Sequence, residues 1–166
     1  MSKTLSDKEL RKIAEQKVKF RYSVKIHVII FILVNSVLLF INLLTVKFLW
    51  VVFPFFAWLI GVAIHWLSYV LYARGVYPMG KRALLHTITA YLFVMLLLFV
   101  TNFITLGVIN WALYPTIFAG AGVLIYIFVY LLFFREELTE NGEKKSKIDK
   151  AVDKEMEKLA RKRNEL

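Results

Sequence analysis

Polar and apolar positions along the chain fall into blocks. Apolar runs extend from about Ser23 to Thr45, Phe48 to Leu71, Ala83 to Thr105 and Val108 to Phe134, and charge is almost confined to the segments between and beyond them. Each run has about 20 residues or more, which at ~1.5 Å per residue reaches across a ~30 Å hydrocarbon layer. The pattern predicts four transmembrane helices. Unbroken apolar runs without period-two alternation argue against a transmembrane barrel. The connections between spans one and two and between spans three and four are a few residues long, so each pair is expected to form an antiparallel helical hairpin. The middle connection, ARGVYPMGKR, carries two glycines and a proline and reads as a turn.

The two hairpins share a pattern. With INLLTVKFLWVVFPFFAWLIGVAIH (41–65) laid over TNFITLGVINWALYPTIFAGAGVLIY (101–126), Asn42 falls on Asn102 and Thr45 on Thr105. After one extra residue in the second turn, Trp50 falls on Trp111, Pro54 on Pro115 and Gly61 on Gly122. Generic hydrophobicity does not supply Asn, Trp, Pro and Gly in register. Both copies start and end on the same side, so they form a parallel internal repeat about an axis along the membrane normal, which weakens an inverted-repeat transporter reading.

Composition agrees with the pattern: 59% of residues are hydrophobic and the mean hydropathy is +0.62, values that suit an integral membrane protein. Cysteine is absent, which removes disulfides, thiol nucleophiles and thiolate metal sites together. The charged, polar start shows no cleavable signal segment.

Basic residues orient the spans. Eight lie in residues 1–26, three in the middle connection (Arg74, Lys81, Arg82) and ten after Phe134, whereas the two other turns hold only Lys47. Positive loops stay inside, so both termini are expected in the cytoplasm of a prokaryote, with the chain multi-pass in its inner membrane. The +10 net charge arises mostly from the N-terminal arm and the middle connection, because the ten basic and nine acidic residues of the tail nearly cancel. Basic residues flanking spans point to anionic lipid headgroups and not to nucleic acid. SDKE (6–9) forms a capping box opening an amphipathic helix with Leu10, Ile13, Ala14 and Val18, which can run into the first span. The tail SKIDKAVDKEMEKLARKRNEL is a second helix, with Ile148, Val152, Met156 and Leu159 along one side, offering a surface for a protein partner or self-association.

The stretch KFRYSVKIHVIIFILVNSVLLFINLLT followed by FPFFAWLIGVAIHWL resembles the two-transmembrane-helix (2TM) domain of bacterial membrane proteins, through His27, Asn35, Asn42 and the Gly61-x-x-x-His65 ending. The resemblance covers residues 17–70, and the second hairpin resembles a diverged copy without equivalents of Asn35 and His65. Such hairpins occur alone or joined to histidine-kinase or LytTR-type DNA-binding regions. The resemblance therefore implies a membrane signalling or regulatory module.

Polar side chains inside spans are costly unless they face one another. His27, Asn35 and Asn42 lie within ~80° on one face of the first helix, and Ala57, Gly61, His65 and Ser68 repeat at near-four spacing on the second. Thr87, Tyr91, Asn102 and Thr105 do the same on the third. The expectation is that these faces meet inside a four-helix bundle, with His27, Asn35, Asn42, His65 and Asn102 as its polar interior or ligand site, and with Ala57, Gly61, Ala119 and Gly122 allowing close helix packing. The bland reading of the polar stripe is interhelical hydrogen bonding. His65 has a pH-sensing reading and a structural one. No His-x-x-x-His or Glu-x-x-His spacing and no intramembrane carboxylate occurs in the spans, so no metal or cofactor is expected, and a proton pump lacks its usual residues. No catalytic residues are expected either: no Ser/His/Asp set or phosphate cradle is present.

The expected whole is all-α: an amphipathic juxtamembrane helix over residues 1–22, a four-span membrane domain over 23–134 with hairpins 23–73 and 82–134, and a charged helical tail over 135–166. The expected function is non-enzymatic, a membrane module relaying a signal to its cytoplasmic helices. The alternative is an oligomeric channel or small-solute pore lined by Asn42, Asn102 and their neighbours.

Overall fold

The computed structural model describes residues 7–75, 79–138 and 143–164. The chain is all-α apart from one two-residue ladder. Helix α1 spans Asp7–Thr45, α2 Val52–Ala73, α3 Met79–Leu106, α4 Leu113–Val129 and α5 Lys147–Asn164. A π-helical turn, Tyr130–Phe134, ends α4 and is closed by the Arg135 N–H donating to the Tyr130 carbonyl at 3.1 Å. Strands β1 (Glu137–Leu138) and β2 (Lys144–Lys145) then pair antiparallel, with Glu137 opposite Lys145. Four of the helical segments are long and apolar enough to cross a membrane. The protein is a multi-pass membrane protein.

Helix α1 runs for 39 residues without interruption. No glycine or proline occurs between Asp7 and Thr45, so nothing in the sequence breaks the i to i−4 ladder between the charged arm and the span. At ~1.5 Å per residue it is about 58 Å long. Ser6, which would open the expected capping box, lies outside the described residues, as do the side chains of Asp7, Lys8 and Glu9. The middle connection is described only at its edges. There Gly75 takes φ 69° and its N–H reaches the Tyr72 carbonyl at 3.1 Å, a C-terminal stop that only glycine adopts easily.

The second and fourth spans start later than hydropathy alone predicts. Helix α2 begins at Val52 and α4 at Leu113, which places Pro54 and Pro115 each at the third helical position. A first-turn proline lacks an N–H that the helix does not use. Both prolines therefore fit a helix start at the equivalent place in the two copies.

The helices touch in chain order: α1 with α2, α2 with α3, and α3 with α4. Among the described residues no contact closes α4 back on α1. This corrects the expectation of a four-helix bundle with a shared polar interior. The reason is physical: between helices in lipid there is no hydrophobic drive to close, because hydrocarbon solvates Phe40, Leu43, Leu44, Ile117, Phe118 and Leu124 as well as another helix would. All six are exposed. Asn42 and Asn102 find their partners in the adjoining turns, and His27, His65 and His86 find theirs on the neighbouring helix, which weakens the other reason to close.

Helix α5 packs on the π turn and on β2. Its start is capped by Ser146, whose Oγ accepts the Asp149 N–H at 3.2 Å while Asp149 Oδ2 accepts the Ser146 N–H at 2.8 Å and its hydroxyl at 2.7 Å. The Ile148, Val152, Met156 and Leu159 side chains remain exposed.

Candidate functional site

The residues expected as one polar interior separate into three places. Asn42 and Asn102 close the two turns. Each is fully buried at 0% exposure, and each spends its amide on its own connection. Asn42 Nδ2 donates to the Phe48 carbonyl at 2.8 Å and Asn42 Oδ1 accepts the Val51 N–H at 2.8 Å. Asn102 Nδ2 donates to the Val108 carbonyl at 3.0 Å and Asn102 Oδ1 accepts the Ala112 N–H at 2.9 Å. Val51 and Ala112 precede α2 and α4 without a side-chain cap of their own. The asparagine at the end of one helix thus caps the start of the next.

The extra residue of the second turn is absorbed by two devices. Gly107 takes φ 70° just after α3, its N–H donating to the Phe103 carbonyl at 2.8 Å. Asn110 donates its N–H to Asn102 Oδ1 at 2.9 Å, and its own Oδ1 accepts from Asn102 Nδ2 and from the Trp111 N–H. Thr45 and Thr105 repeat one another too, bonding the carbonyls of Ile41 (2.8 Å) and Thr101 (2.7 Å). The repeat read in the sequence is a repeat of hydrogen bonds.

His27 and His65 are brought together between α1 and α2. The Trp58 indole N–H donates to His27 Nε2 at 2.9 Å, which leaves that nitrogen unprotonated. The His27 and His65 rings meet edge to face at 5.4 Å. His65 Nε2 lies 3.2 Å from the Ser23 hydroxyl, and its ring lies 5.7 Å from Phe20. Phe20 stacks on Tyr72, whose hydroxyl donates to Gln16 Oε1 at 2.8 Å. Gln16, Phe20, Ser23, His27 and Phe31 follow one another at three- or four-residue steps, a continuous seam on α1. The seam carries the histidine pair from the span into the charged arm.

Asn35 stands apart from both groups. Its Nδ2 donates to the Phe31 carbonyl at 2.8 Å, and its side chain is 6% exposed. It lines a cavity of about 420 Å³ between α1 and α2, together with Phe31, Ser36, Val52 and Phe55.

Of the expected packing residues, Gly61 lies against His27, with a Cβ there 3.9 Å from the ring. Ala57 is exposed. Ala119 and Gly122 face outward, and a Cβ at Gly122 would meet nothing within 4 Å. The close approach on α4 is at Gly120 instead, where a Cβ would stand 2.8 Å from the Tyr91 hydroxyl. Tyr91 donates that hydroxyl to the Thr116 carbonyl at 3.0 Å.

His86 was not among the expected site residues. Its Nδ1 lies 2.7 Å from the Arg82 carbonyl, an acceptor only, so Nδ1 carries a proton. Its Nε2 lies 2.7 Å from the Ser68 hydroxyl. This bond ties α2 to α3, and so one repeat to the other. Ser68 belonged to the stripe read on α2; the signal for His86 was its place one turn inside Arg82. Among the described residues no group of three His, Asp or Glu side chains is arranged to hold a metal ion.

A family model described as the 2TM domain matches residues 12–75 and, a second time, residues 79–152. The chain belongs to the 2TM domain family. Two matches in tandem establish the 2TM repeat, and each contains one asparagine-capped turn. No curated protein and no solved structure matches the chain. The two 2TM copies differ at the histidine site: the register that places Asn42 on Asn102 and Gly61 on Gly122 places Trp58 on Ala119 and His65 on Tyr126.

Proposed function

We propose that this 2TM protein is a non-enzymatic signalling or regulatory module of a prokaryotic inner membrane, with two antiparallel hairpins, both termini cytoplasmic, and the first hairpin as its responsive half. The observation that carries the reading is the unbroken α1. One rigid rod holds Asn35, His27 and Ser23 in the membrane and Gln16 in the charged arm, with α2 bonded along it at Trp58, His65 and Tyr72. A change in how α2 seats against His27 or Ser23 must move the arm or break the seam. The apolar sides of the arm and of α5 then serve a protein partner or a second copy, and the basic residues anchor to anionic headgroups. The asparagines that motivate the pore alternative bond within their own turns, which favours the relay reading over it.

The absence of native cysteine allows a clean test. Cysteines placed at Lys12 and Lys150 should resist an impermeant thiol reagent applied outside intact cells, and one at Lys47 should react. Spin labels at the first two positions should report a shifted distance distribution in His65→Tyr, which imposes the second copy's residue on the first. Identical distributions in wild type and His65→Tyr would end the relay reading.

A further inference from the structure

We propose that the cavity between the start of α3, the π turn and the start of α5 holds the headgroup of an ethanolamine phospholipid, with Lys81 on its phosphate and Glu136 and Asp149 on its ammonium. The cavity has a volume of about 530 Å³, within the range of small-molecule sites. Gly80 and Lys81 of α3, Phe134 of the π turn, Glu136 and Asp149 all stand on its lining.

Position selects a lipid. Gly80 opens the third span and Phe134 closes the fourth, so the cavity lies where hydrocarbon gives way to headgroups. Its lining is graded in the same sense. Tyr126, eight residues before Phe134, lies ~12 Å further into the fourth span, and Ala83 lies one turn into the third, whereas Lys81, Glu136 and Asp149 stand at the mouth. A guest with a charged head and an apolar body fits that gradient.

The charges select the headgroup. Lys81, Glu136 and Asp149 are exposed, so a guest has access to all three. Although they share one cavity, Lys81 and Glu136 form no ion pair with each other or with another side chain among the described residues. Asp149 accepts both Ser146 bonds on Oδ2, which holds its carboxyl ionised and leaves Oδ1 without a hydrogen bond among the described residues. One cation and two carboxylates suit a guest that brings a phosphate and an ammonium together. An anionic headgroup without an ammonium meets two like charges there, and a trimethylated ammonium has no N–H to donate.

The first repeat shows why the space exists. The register that carries Asn42 to Asn102 carries Phe20 to Gly80, and the one that carries His65 to Tyr126 carries Ala73 to Phe134. Phe20 fills the corresponding place with its ring, 5.7 Å from His65 and 6.0 Å from Tyr72. Gly80 has no side chain to do so, and α3 comes close to the π turn there: a Cβ would stand 3.3 Å from Phe134 and from Tyr130. The second repeat thus leaves open, beside three charged residues, the space that the first closes with an aromatic ring.

The test is native mass spectrometry of the full, delipidated chain in detergent, titrated separately with dioleoyl phosphatidylethanolamine, phosphatidylcholine and phosphatidylglycerol. One ethanolamine lipid is expected to be retained, about tenfold more tightly than either of the others. Glu136→Gln and Lys81→Gln, both at exposed positions that leave the helix packing alone, should each weaken it about tenfold, and Glu136→Gln should not weaken phosphatidylglycerol. Gly80→Phe, which gives the second repeat the first one's aromatic ring, should abolish retention. Equal retention of the three lipids, or unchanged retention of the ethanolamine lipid in either charge variant, would overturn the proposal. Displacement by an equal concentration of water-soluble glycerophosphoethanolamine would overturn the assignment to a lipid, because the apolar part of the cavity would then contribute nothing. The readout is lipid retention and involves no cytoplasmic output, so it stands or falls apart from the relay.

Discussion

The indole N–H of Trp58 on α2 points at Nε2 of His27 on α1, 2.9 Å away, and this bond ties the two helices of the first repeat together. It is one-directional, because an indole only donates and the imidazole must therefore keep that lone pair.

Removing the donor tests its weight. Trp58→Phe preserves ring packing against Phe31 and deletes the N–H, and it should lower the stability of the chain by about 1 kcal/mol, read from unfolding in increasing SDS. Ala119→Trp, at the matching place in the second copy, should not stabilise, since it finds no histidine at the corresponding position. A Trp58→Phe protein as stable as wild type would show the bond to be incidental.

The asparagine caps should behave as a pair. Asn42→Leu strands the Val51 N–H and the Phe48 carbonyl, and Asn102→Leu strands the Ala112 and Asn110 N–H groups and the Val108 carbonyl. At ~1–3 kcal/mol for each buried group left without a partner, either variant should lose about 2 kcal/mol or more. Faster amide exchange at the turn of the mutated repeat alone would locate the damage. A loss in neither variant would mean that the turns hold without their caps.

Gly120 and Tyr91 make a rescue experiment. A methyl at Gly120 meets the Tyr91 hydroxyl at 2.8 Å, so Gly120→Ala should cost about 1–3 kcal/mol by forcing Tyr91 off the Thr116 carbonyl. Combining it with Tyr91→Phe removes the clashing oxygen and should recover part of the loss. Gly122→Ala, with open space around it, should be neutral by the same measurement.

The cap of α5 has a definite pH dependence. The Asp149 carboxyl is held below its usual 3.8, chiefly by the hydrogen bond from the Ser146 hydroxyl and then by that from the Ser146 N–H. A depressed carboxylate contributes stability that is present above its unfolded value and is lost as pH falls through the lower folded value. Exchange protection of the first turn of α5 should accordingly stay flat from pH 8 to about 5 and fall only in more acid solution. Asp149→Asn should flatten the acid limb. Lys145, held protonated beyond its ordinary range by hydrogen bonds to Asp153 and then to Glu143, keeps its charge across this window and adds a smaller coulombic pull that holds the Asp149 carboxyl down.

Much of the molecule was legible in the sequence, and the parts that were not share a cause. Four spans and a repeat could be read because hydropathy and the register of Asn, Trp, Pro and Gly are properties of the chain alone. Hydropathy alone starts the second and fourth spans too early, at Phe48 and Val108, since Phe48 to Val51 is as apolar as a helix but is held as a turn by Asn42 across nine residues. The polar stripes suggest closure into a bundle, but Asn42 and Asn102 bond within their own turns and His27 and His65 bond between α1 and α2, so these groups do not require it. Gly122 was singled out over Gly120 because the repeat aligned it, whereas close approach depends on where Tyr91 points. His27 on α1 and His65 on α2 lie ring to ring between the two helices. The Ser146-x-x-Asp149 box that opens α5 is written in the sequence as a serine three residues before a carboxylate.

An unclosed row of helices has a further meaning. Each repeat carries its own turn cap and its own internal contacts, and the described side-chain bond linking the pair is the one from Ser68 to His86. Doubling such a unit calls for a single new seam and no redesign of either half. The two outer helices, α1 and α4, keep broad exposed apolar surfaces among the described residues. A protein built this way is modular in the plane of the membrane, as a solenoid is along its axis, and its outer helices are the places where another panel can be added.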